Sequence, residues 1–465
     1  IGFQCFVPPS VGLANNGDFP KIIGQFDVGD PAFQTDVVRY ADLRYVVDSK
    51  YHWDSKFHSS EVLLFEAALG LDSILGRAGT FDLRFMGAVN AAIFLLAFYR
   101  LLPLLQTLRP KIRILLLGII LFMFTDVMYV NYFNSFFMDT AALLFLLLAA
   151  VSFLRALRWK RTADRWLFVA SAMLLVTSKT QHYPLGLPIA LLLAWQGGLL
   201  IAGRNRAFRI ASAICVLGAT GFSKQFGAPS HYPSLGAYTV IFFELLPKSK
   251  NVTGDLKDLA LDDSYQRYVG TNAYSPDAGV QDPQVKDVFE RKISYGRLAG
   301  FFAKHPVTAL EIAITRLDSA GRQRPYAGNY DRRTGFPEYA QTRSFTLWSG
   351  LKNRVFGEHG GLYLLYAIAL ALVVPFLAME RRAGLPLGIP AAVIALTAVM
   401  LTALLVASFA DALDAERHFS LFSALTDLLL LCGVCIAAAT PTPAQTPIPN
   451  RRPASEELRP GTSGS

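Results

Sequence analysis

The sequence is poor in charged residues, which make up 17% of its 465 positions, whereas hydrophobic residues make up 52%. Its mean hydropathy of +0.35 is higher than a soluble enzyme of this length needs. The composition therefore predicts an integral membrane protein. The formal net charge of +9 does not indicate a nucleic-acid partner, because the Lys and Arg residues gather in short loops between apolar runs.

Cysteine is also scarce, and its positions exclude two kinds of site. The four cysteines all lie in apolar stretches, which fits buried thiols and neither a disulfide framework nor a zinc ribbon. The seven histidines lack the i, i+4 spacing of a helical zinc pair. A glycine-rich phosphate loop is missing as well, so the sequence does not indicate an ATP-driven pump.

Long apolar runs are abundant, and nine of them are long enough to cross a bilayer as helices. These runs are residues 83–105, 112–128, 137–157, 165–180, 184–202, 208–224, 361–379, 385–407 and 419–439. A shorter apolar run at residues 1–14 has no initiator Met and no signal-peptide features, and we interpret it as the end of a first span whose beginning is missing. The prediction is an all-α polytopic membrane protein with about ten transmembrane helices.

Basic residues mark every second loop between these runs and predict the orientation of the chain. They cluster at residues 109–113, 155–161, 204–209 and 381–382, which places those loops in the cytoplasm. The alternate loops hold few basic residues. Two long segments that are too polar for lipid share the side of these alternate loops and are predicted to be extracytoplasmic.

This pattern divides the chain into four predicted regions. They are a transmembrane core at residues 1–224 with its first outer loop at 15–82, an inserted extracytoplasmic domain at 225–360, C-terminal transmembrane helices at 361–439, and a disordered cytoplasmic tail at 440–465. Within the first outer loop, residues 59–75 have the apolar spacing of an interfacial helix. The inserted domain is predicted to be small and mostly helical, with helices at residues 285–302 and 306–317.

Asp18 is the first candidate for a catalytic carboxylate. It lies in the stretch Asn15-Asn16-Gly17-Asp18-Phe19-Pro20-Lys21, in which glycine and proline favour a tight turn at the edge of the membrane. A simpler interpretation is that Asp18 caps this turn by accepting hydrogen bonds from nearby backbone N–H groups. The residues alone leave both interpretations open.

Two further acids stand on the same predicted side of the membrane. Asp126 and Asp139 flank the polar and aromatic stretch at residues 129–137, and Asp139 opens the next apolar helix. Ionisable groups at the ends of spans are costly unless they face water, a substrate or each other, so their convergence favours a functional site. The helix dipole would, however, favour an acid at the position of Asp139 without any such function.

Basic partners follow on that side. Lys179 and His182 come after one predicted span, and Arg417 and His418 open the last one. Arginine contacts phosphate oxygens as a fork, while lysine or histidine adds charge that stabilises a phosphate leaving group. The alternative for Arg417 and His418 is snorkelling to the interface, or an ion pair with Asp414.

The sequence resembles the GT-C membrane glycosyltransferases, in particular bacterial hexose transferases of glycan biosynthesis. The resemblance covers most of the chain. It rests on short motifs, which are Asn15-Asn16-Gly17-Asp18-Phe19, Tyr132-Phe133-Asn134-Ser135-Phe136 leading into Asp139, Lys304-His305-Pro306, Ala327-Gly328-Asn329 and Arg417-His418.

The resemblance implies a GT-C-like bundle that transfers a sugar from a polyprenyl-phosphate donor to a cell-envelope glycan or a lipid-linked acceptor, on the outer side of the bacterial inner membrane. It implies that Asp18 is the base and Asp139 the second acid. Phosphate contacts would come from Lys179, Arg417 and His418, and we add Asp126 and His182 as candidate substrate contacts. The chain lacks the adjacent acidic pair of some members, which leaves open whether a divalent metal ion takes part.

Two other functions compete with sugar transfer. A flippase or transporter of lipid-linked sugars would also place charges at the membrane edge, but the internal repeats and broken mid-membrane helices typical of transporters are not evident in the sequence. A polymerase or ligase of surface polysaccharide would use the same chemistry on a different acceptor. The sequence does not separate the second alternative from the transferase.

Overall fold

A computed structural model describes residues 1–30, 38–54, 56–106, 108–200, 206–382, 385–386 and 388–438. The predicted tail at residues 440–465 lies outside these ranges. The described chain is mainly helical, as predicted. In the first half the helices are α1 (Gly2–Phe6), α2 (Pro20–Ile23), α3 (Ser60–Leu75), α4 (Arg84–Leu105), α5 (Pro110–Phe124), α6 (Val127–Val130), α7 (Asp139–Trp159), α8 (Thr162–Val176), α9 (Gly186–Leu200) and α10 (Arg206–Phe226).

Later in the chain, short helices precede a second group of long ones. They are α11 (Tyr232–Thr239), α12 (Val252–Asp258), α13 (Pro283–Lys292), α14 (Tyr295–Lys304), α15 (Pro306–Ala320), α16 (Leu347–Phe356), α17 (Gly360–Glu380), α18 (Ile389–Phe409), α19 (Ala415–His418) and α20 (Ser420–Ala438). A helix lies at each of the nine predicted apolar runs. Within the described residues α4, α7, α17, α18 and α20 are each long and apolar enough to cross a membrane.

A further span is formed if α5 and the turn after it are counted together. The axis bends by 51° between Pro110–Phe124 and Val127–Asn134. The break falls at Asp126, whose backbone is extended and whose side chain accepts the N–H of Met128 at 2.9 Å as the N-cap of α6. A polar cap in the middle of an apolar run therefore ends one helix and starts another.

Helix α7 lies at the centre of the bundle. Most of its side chains are buried, whereas α4 and α17 keep much of their apolar surface exposed on the outside of the protein. Helices α4, α8 and α20 all pack against α7. The first residue of α7 is Asp139, so the centre of the bundle carries an acid at one end.

The first residues differ from the prediction of a span ending near residue 14. In this part of the chain only Gly2–Phe6 is helical. Val7 precedes Pro8, and the residue before a proline disfavours the helical conformation, so the helix ends there. Residues 10–15 continue as buried irregular chain. Two of their N–H groups donate to the 326–334 segment, Gly12 to Asn329 O and Ala14 to Gly328 O, each at 3.0 Å.

The outer loop contains a small sheet that the sequence did not indicate. Its antiparallel strands are β1 (Val28–Gly29), β2 (Arg44–Val47) and β3 (Thr80–Asp82), with β2 in the centre. The predicted helix at residues 59–75 is confirmed as α3, whose N-cap Ser59 accepts the N–H of Glu61 at 3.0 Å. Ser59 also donates to the carbonyl oxygen of Ser178, which ties α3 to the end of α8.

Buried apolar residues between Ala237 and Ile312, together with Ala412, form a second apolar core that includes the contacting rings of Tyr238, Phe242 and Phe289. The prediction of one continuous helix at residues 285–302 is wrong, because α13 and α14 are separate helices. The chain is extended at Ser294, whose hydroxyl caps the new helix by accepting the N–H of Arg297 at 3.2 Å. Helix α15 covers the other predicted helix at residues 306–317.

Candidate functional site

The loop that carries Asp18 is held by its own asparagines. Asn15 Oδ1 accepts the N–H groups of Gly17 at 2.9 Å and Phe19 at 3.2 Å, and Asn16 Oδ1 accepts that of Asp18 at 3.2 Å. Gly17 has a φ of 103°, a conformation that side chains with a Cβ rarely adopt. Asn15 rather than Asp18 therefore caps the turn, and the carboxylate of Asp18 is left for other partners.

Asp139 and Lys179 meet at neighbouring helix ends. Asp139 starts α7 and its side chain is 2% exposed, while Lys179 follows α8 and precedes the 3-10 helix Thr180–Leu185. The Lys179 ammonium lies 3.3 Å and 3.5 Å from the two carboxylate oxygens of Asp139. The pair is therefore buried at the end of α7, beside the loop of Asp18.

Arg417 connects the two acids. It lies on α19 immediately before the last helix, and its side chain is 7% exposed. One guanidinium nitrogen forms an ion pair with Asp18 and lies 3.9 Å from Asp139 Oδ2. The second terminal nitrogen lies 3.3 Å from Asp414, and the guanidinium stacks over the ring of Phe137 with its carbon 4.7 Å from the centroid. Arg417 is thus held from several sides by groups from distant parts of the chain.

Lys21 completes the set of cations. Its ammonium forms an ion pair with Asp18 and donates to the hydroxyl of Tyr232 at 2.6 Å. Tyr232 begins α11, so the 225–360 segment contributes directly to the site. Both oxygens of Asp18 therefore contact a cation, Oδ1 that of Lys21 and Oδ2 that of Arg417.

A cavity opens beside these ion pairs. It is lined by charged and polar residues together with aromatic and apolar ones: Asp18, Lys21, Phe57, Phe136, Met138, Lys179, Thr180, Gln181, Tyr232, Asp411, Arg417 and His418. The mixture offers cations for an anionic group and aromatic faces for an apolar or sugar surface.

Burial and ion pairing together shift the pKa values of the charged groups in this cavity. Although burial opposes ionisation, Arg417 and Lys21 hold the pKa of Asp18 well below its usual range. Burial lowers the pKa of Lys179, against the attraction of Asp139. Burial raises the pKa of Asp411, which has no comparably close cation. Two carboxylates of one cavity thus differ in their affinity for a proton.

Of the two predicted histidines, His418 lines the cavity, whereas His182 is not among its lining residues. His418 Nε2 is 3.3 Å from Arg417 and 4.0 Å from Asp411, and His182 Nδ1 is 2.8 Å from the hydroxyl of Ser178. Burial, followed by the charge of Lys179, lowers the pKa of His182 to about 3. Burial also holds the pKa of His418 well below its usual value. Both imidazoles are therefore neutral at physiological pH.

The structure does not bring Asp126, a predicted substrate contact, into the cluster. Asp126 is not among the residues that line the cavity. One carboxylate oxygen caps α6, and the other accepts the N–H groups of Trp348 at 2.9 Å and Ser349 at 3.0 Å. Because both oxygens bind backbone groups, Asp126 joins α6 to the start of α16.

Three residues of the site were not selected from the sequence. Lys21 stands three positions after Asp18, and Asp411 stands in the same poorly basic loop as Arg417, so both offered a positional signal. Tyr232 offered none, because its contact with Lys21 spans more than 200 residues and depends on how the chain folds.

The donor set does not fit a divalent metal ion. Each oxygen of Asp18 contacts Lys21 or Arg417, and both oxygens of Asp139 face Lys179. Lys21, Lys179 and Arg417 repel a further positive ion at these two carboxylates. The same three cations offer positive charge to an anionic ligand.

The fold and this cluster define a polytopic α-helical membrane protein in which opposed charges are gathered at the helix ends around a cavity. A family model described as the YfdI N-terminal transmembrane domain matches residues 1–448, and the chain belongs to this family. No curated protein and no solved structure matches the chain significantly.

Proposed function

We propose that this protein is a membrane glycosyltransferase that moves a sugar from a polyprenyl-phosphate donor to a cell-envelope glycan or a lipid-linked acceptor. The observation that carries the proposal is the placement of Arg417 and Lys179, which converge beside one cavity at the ends of membrane helices. The family membership supports a membrane-embedded role, and the resemblance to GT-C transferases supports the reaction.

Arg417 and Lys179 fit the phosphate of the donor. In the reaction, an acceptor hydroxyl oxygen forms a bond to the anomeric carbon, and the bond from that carbon to the phosphate oxygen breaks with its electron pair going to the phosphate. A guanidinium fork and an ammonium stabilise the charge that develops there. The phosphate approaches these cations from the cavity, beside the carboxylates that pair with them.

Asp18 and Asp139 act in this proposal as counter-ions. Without them, Lys21 and Lys179 would lose the carboxylates that pair with them and Arg417 would keep only Asp414, at a large cost in free energy. The resemblance assigns Asp18 the role of base. Its low pKa and its two ion pairs oppose proton uptake in the free protein, so the acceptor proton needs another destination.

The position of the site supports chemistry on the extracytoplasmic side. The cluster joins the start of α7, the end of α8 and the start of α20. The basic residues at 155–161 lie around the end of α7 that is opposite to Asp139. Those at 381–382 follow the last residue of α17. The positive-inside rule predicts that those loops face the cytoplasm, which supports an extracytoplasmic position for the cluster.

The test is a transfer assay on protein reconstituted in lipid. We expect new glycosidic product from at least one polyprenyl-phosphate hexose, detected by mass spectrometry, and a loss of at least about 100-fold in Lys179→Met. The matched control is Lys250→Met, which removes an exposed lysine outside the cavity. Movement of lipid-linked sugar across the bilayer without any new bond would identify a flippase and refute the transferase.

A further inference from the structure

Asp411 differs from the other carboxylates of the cluster in its partners. It lies between α18 and α19, lines the cavity and has a side chain that is 21% exposed. One of its oxygens accepts the N–H of Leu413 at 3.1 Å. The other lies 4.0 Å from His418 Nε2, the closest basic nitrogen among the described residues. Asp411 thus lines the cavity and keeps one oxygen that forms no ion pair with a lysine or arginine of the described residues.

The groups around Asp411 leave that oxygen available for a proton. The charged and titratable groups that face it are Arg316, Lys179, Arg417, His418, Tyr232, Tyr274 and Tyr295. The imidazole of His418 is buried and neutral, so it is not a competing cation. The three cations act on Asp411 from beyond ion-pair distance, and burial prevails over them in raising its pKa.

We propose that Asp411 is the catalytic base that takes the proton of the acceptor hydroxyl. This inference rests on the proposed sugar transfer. The hydroxyl proton passes to the free oxygen of Asp411, the hydroxyl oxygen bonds to the anomeric carbon, and the donor phosphate leaves with the electron pair of the broken bond. Arg417 and Lys179 neutralise the leaving phosphate in the same cavity, so base and phosphate site are complementary.

The geometry also explains why the roles of Asp18 and Asp411 differ. Cations that stabilise the charged form of a carboxylate weaken it as a base. Lys21 and Arg417 contact the two oxygens of Asp18 in this way. Asp411 has no such contact with a lysine or arginine among the described residues, and its side chain is about as exposed as that of Asp18, 21% against 23%.

The experiment compares Asp411→Asn with Asp18→Asn in the reconstituted protein. Asparagine retains an oxygen for the N–H of Leu413, so the loop of Asp411 should keep its shape. We expect Asp411→Asn to lower kcat by at least about 100-fold with little change in donor KM. We expect kcat/KM of the wild type to decline at acidic pH as Asp411 becomes protonated, and Asp411→Asn should abolish that decline. Asp18→Asn should chiefly raise donor KM and keep that decline.

The control is Asp287→Asn, an exposed carboxylate of a surface pair with Arg291 that should leave both parameters unchanged. An active wild type, with Asp411→Asn keeping the wild-type kcat and pH profile, overturns the assignment of Asp411 and leaves the transferase intact. The assignment is equally refuted if Asp18→Asn, and not Asp411→Asn, removes the decline at acidic pH. A wild type that forms no glycosidic product overturns both proposals. Circular dichroism and thermal unfolding of each variant separate a lost base from a lost fold.

Discussion

Arg417 forms an ion pair with Asp18, although the two residues stand near opposite ends of the chain. The contact brings the loop after α1 against the start of α20 and places both beside α7, where Asp139 lies 3.9 Å from the same guanidinium nitrogen. Because both partners line the cavity and Asp139 adjoins them, this relationship organises the site. The predictions below follow from it and from the contacts that support it.

Arg417→Lys is expected to weaken donor binding although the substitution keeps the positive charge. Lysine keeps one positive charge but lacks the planar fork that reaches Asp18, Asp139 and a phosphate at once. The KM for the polyprenyl-phosphate sugar should rise by at least about 10-fold, corresponding to about 1.4 kcal/mol. Initial rates over a range of donor concentrations measure it. Arg354→Lys, at an exposed position on α16, is the control, and an equal rise there would argue against a specific role for Arg417.

Gly17→Ala should destabilise the loop that presents Asp18. Gly17 has a φ of 103°, and an alanine there costs about 1–3 kcal/mol of backbone strain. We expect lower thermal stability together with reduced transfer activity, because the hydrogen bonds of Asn15 and Asn16 depend on this turn. Gly350→Ala is the matched control, since a Cβ at this exposed helical position meets nothing within 4 Å. Gly350→Ala should stabilise the protein slightly.

A buried polar network should fix the position of α20 and therefore of Arg417. Lys352 lies 3.0 Å from Asp427 Oδ1, and Tyr129 and Trp348 each donate to the other oxygen at 2.7 Å. Lys352→Met leaves the Asp427 carboxylate without its cation and should lower the free energy of unfolding by about 3–5 kcal/mol.

The double variant Lys352→Met/Asp427→Asn provides the comparison for this prediction. The asparagine side chain that it introduces would carry no charge and could still accept from Tyr129 and Trp348, so much of the lost stability should return. Unfolding in detergent at increasing denaturant concentration measures both variants. Equal instability of the single and double variants would show that the ion pair is not the source of the effect.

Acid should destabilise the protein partly through His182. Its pKa is about 3 in the folded chain, below the value of 6.5 expected when unfolded, so between these values only the unfolded state binds the proton. Stability from this group is complete above the unfolded value and falls by about 1.4 kcal/mol per pH unit below it. His182→Gln should remove this component. The free energy of unfolding measured from about pH 7 to about pH 4 gives the slope, and an unchanged slope in the variant would contradict the prediction.

Sequence patterns predicted much of the fold because burial in a membrane imposes simple rules. A helix lies at every apolar run that was long enough to span, and the apolar spacing of residues 59–75 matches α3. Local rules also account for the failures. Ser294 provides a cap that splits α13 from α14, and Pro8 and Pro9 end α1 early, although apolar content alone favoured continuous helices in both places.

The chemistry of the site was only partly predictable. Asp18, Asp139, Lys179 and Arg417 were selected as ionisable residues at span ends, and the structure brings them together. Asp126 was selected by the same criterion and instead caps α6 and binds the N–H groups of α16. The position of an ionisable residue at the end of an apolar run predicts that its side chain needs a partner. It does not predict whether that partner is another side chain or a backbone N–H group.

The sequence by itself determined the class of protein, the helices and the residues that needed partners, because hydrophobicity, caps and prolines act over a few neighbouring positions. Only the tertiary structure decided which partners they found. Both oxygens of Asp18 contact cations whereas Asp411 keeps one free, and this difference arises from the packing of α11, α19 and the first loop around one cavity. Ion pairing depends on distances of a few ångströms, and these are set by long-range packing.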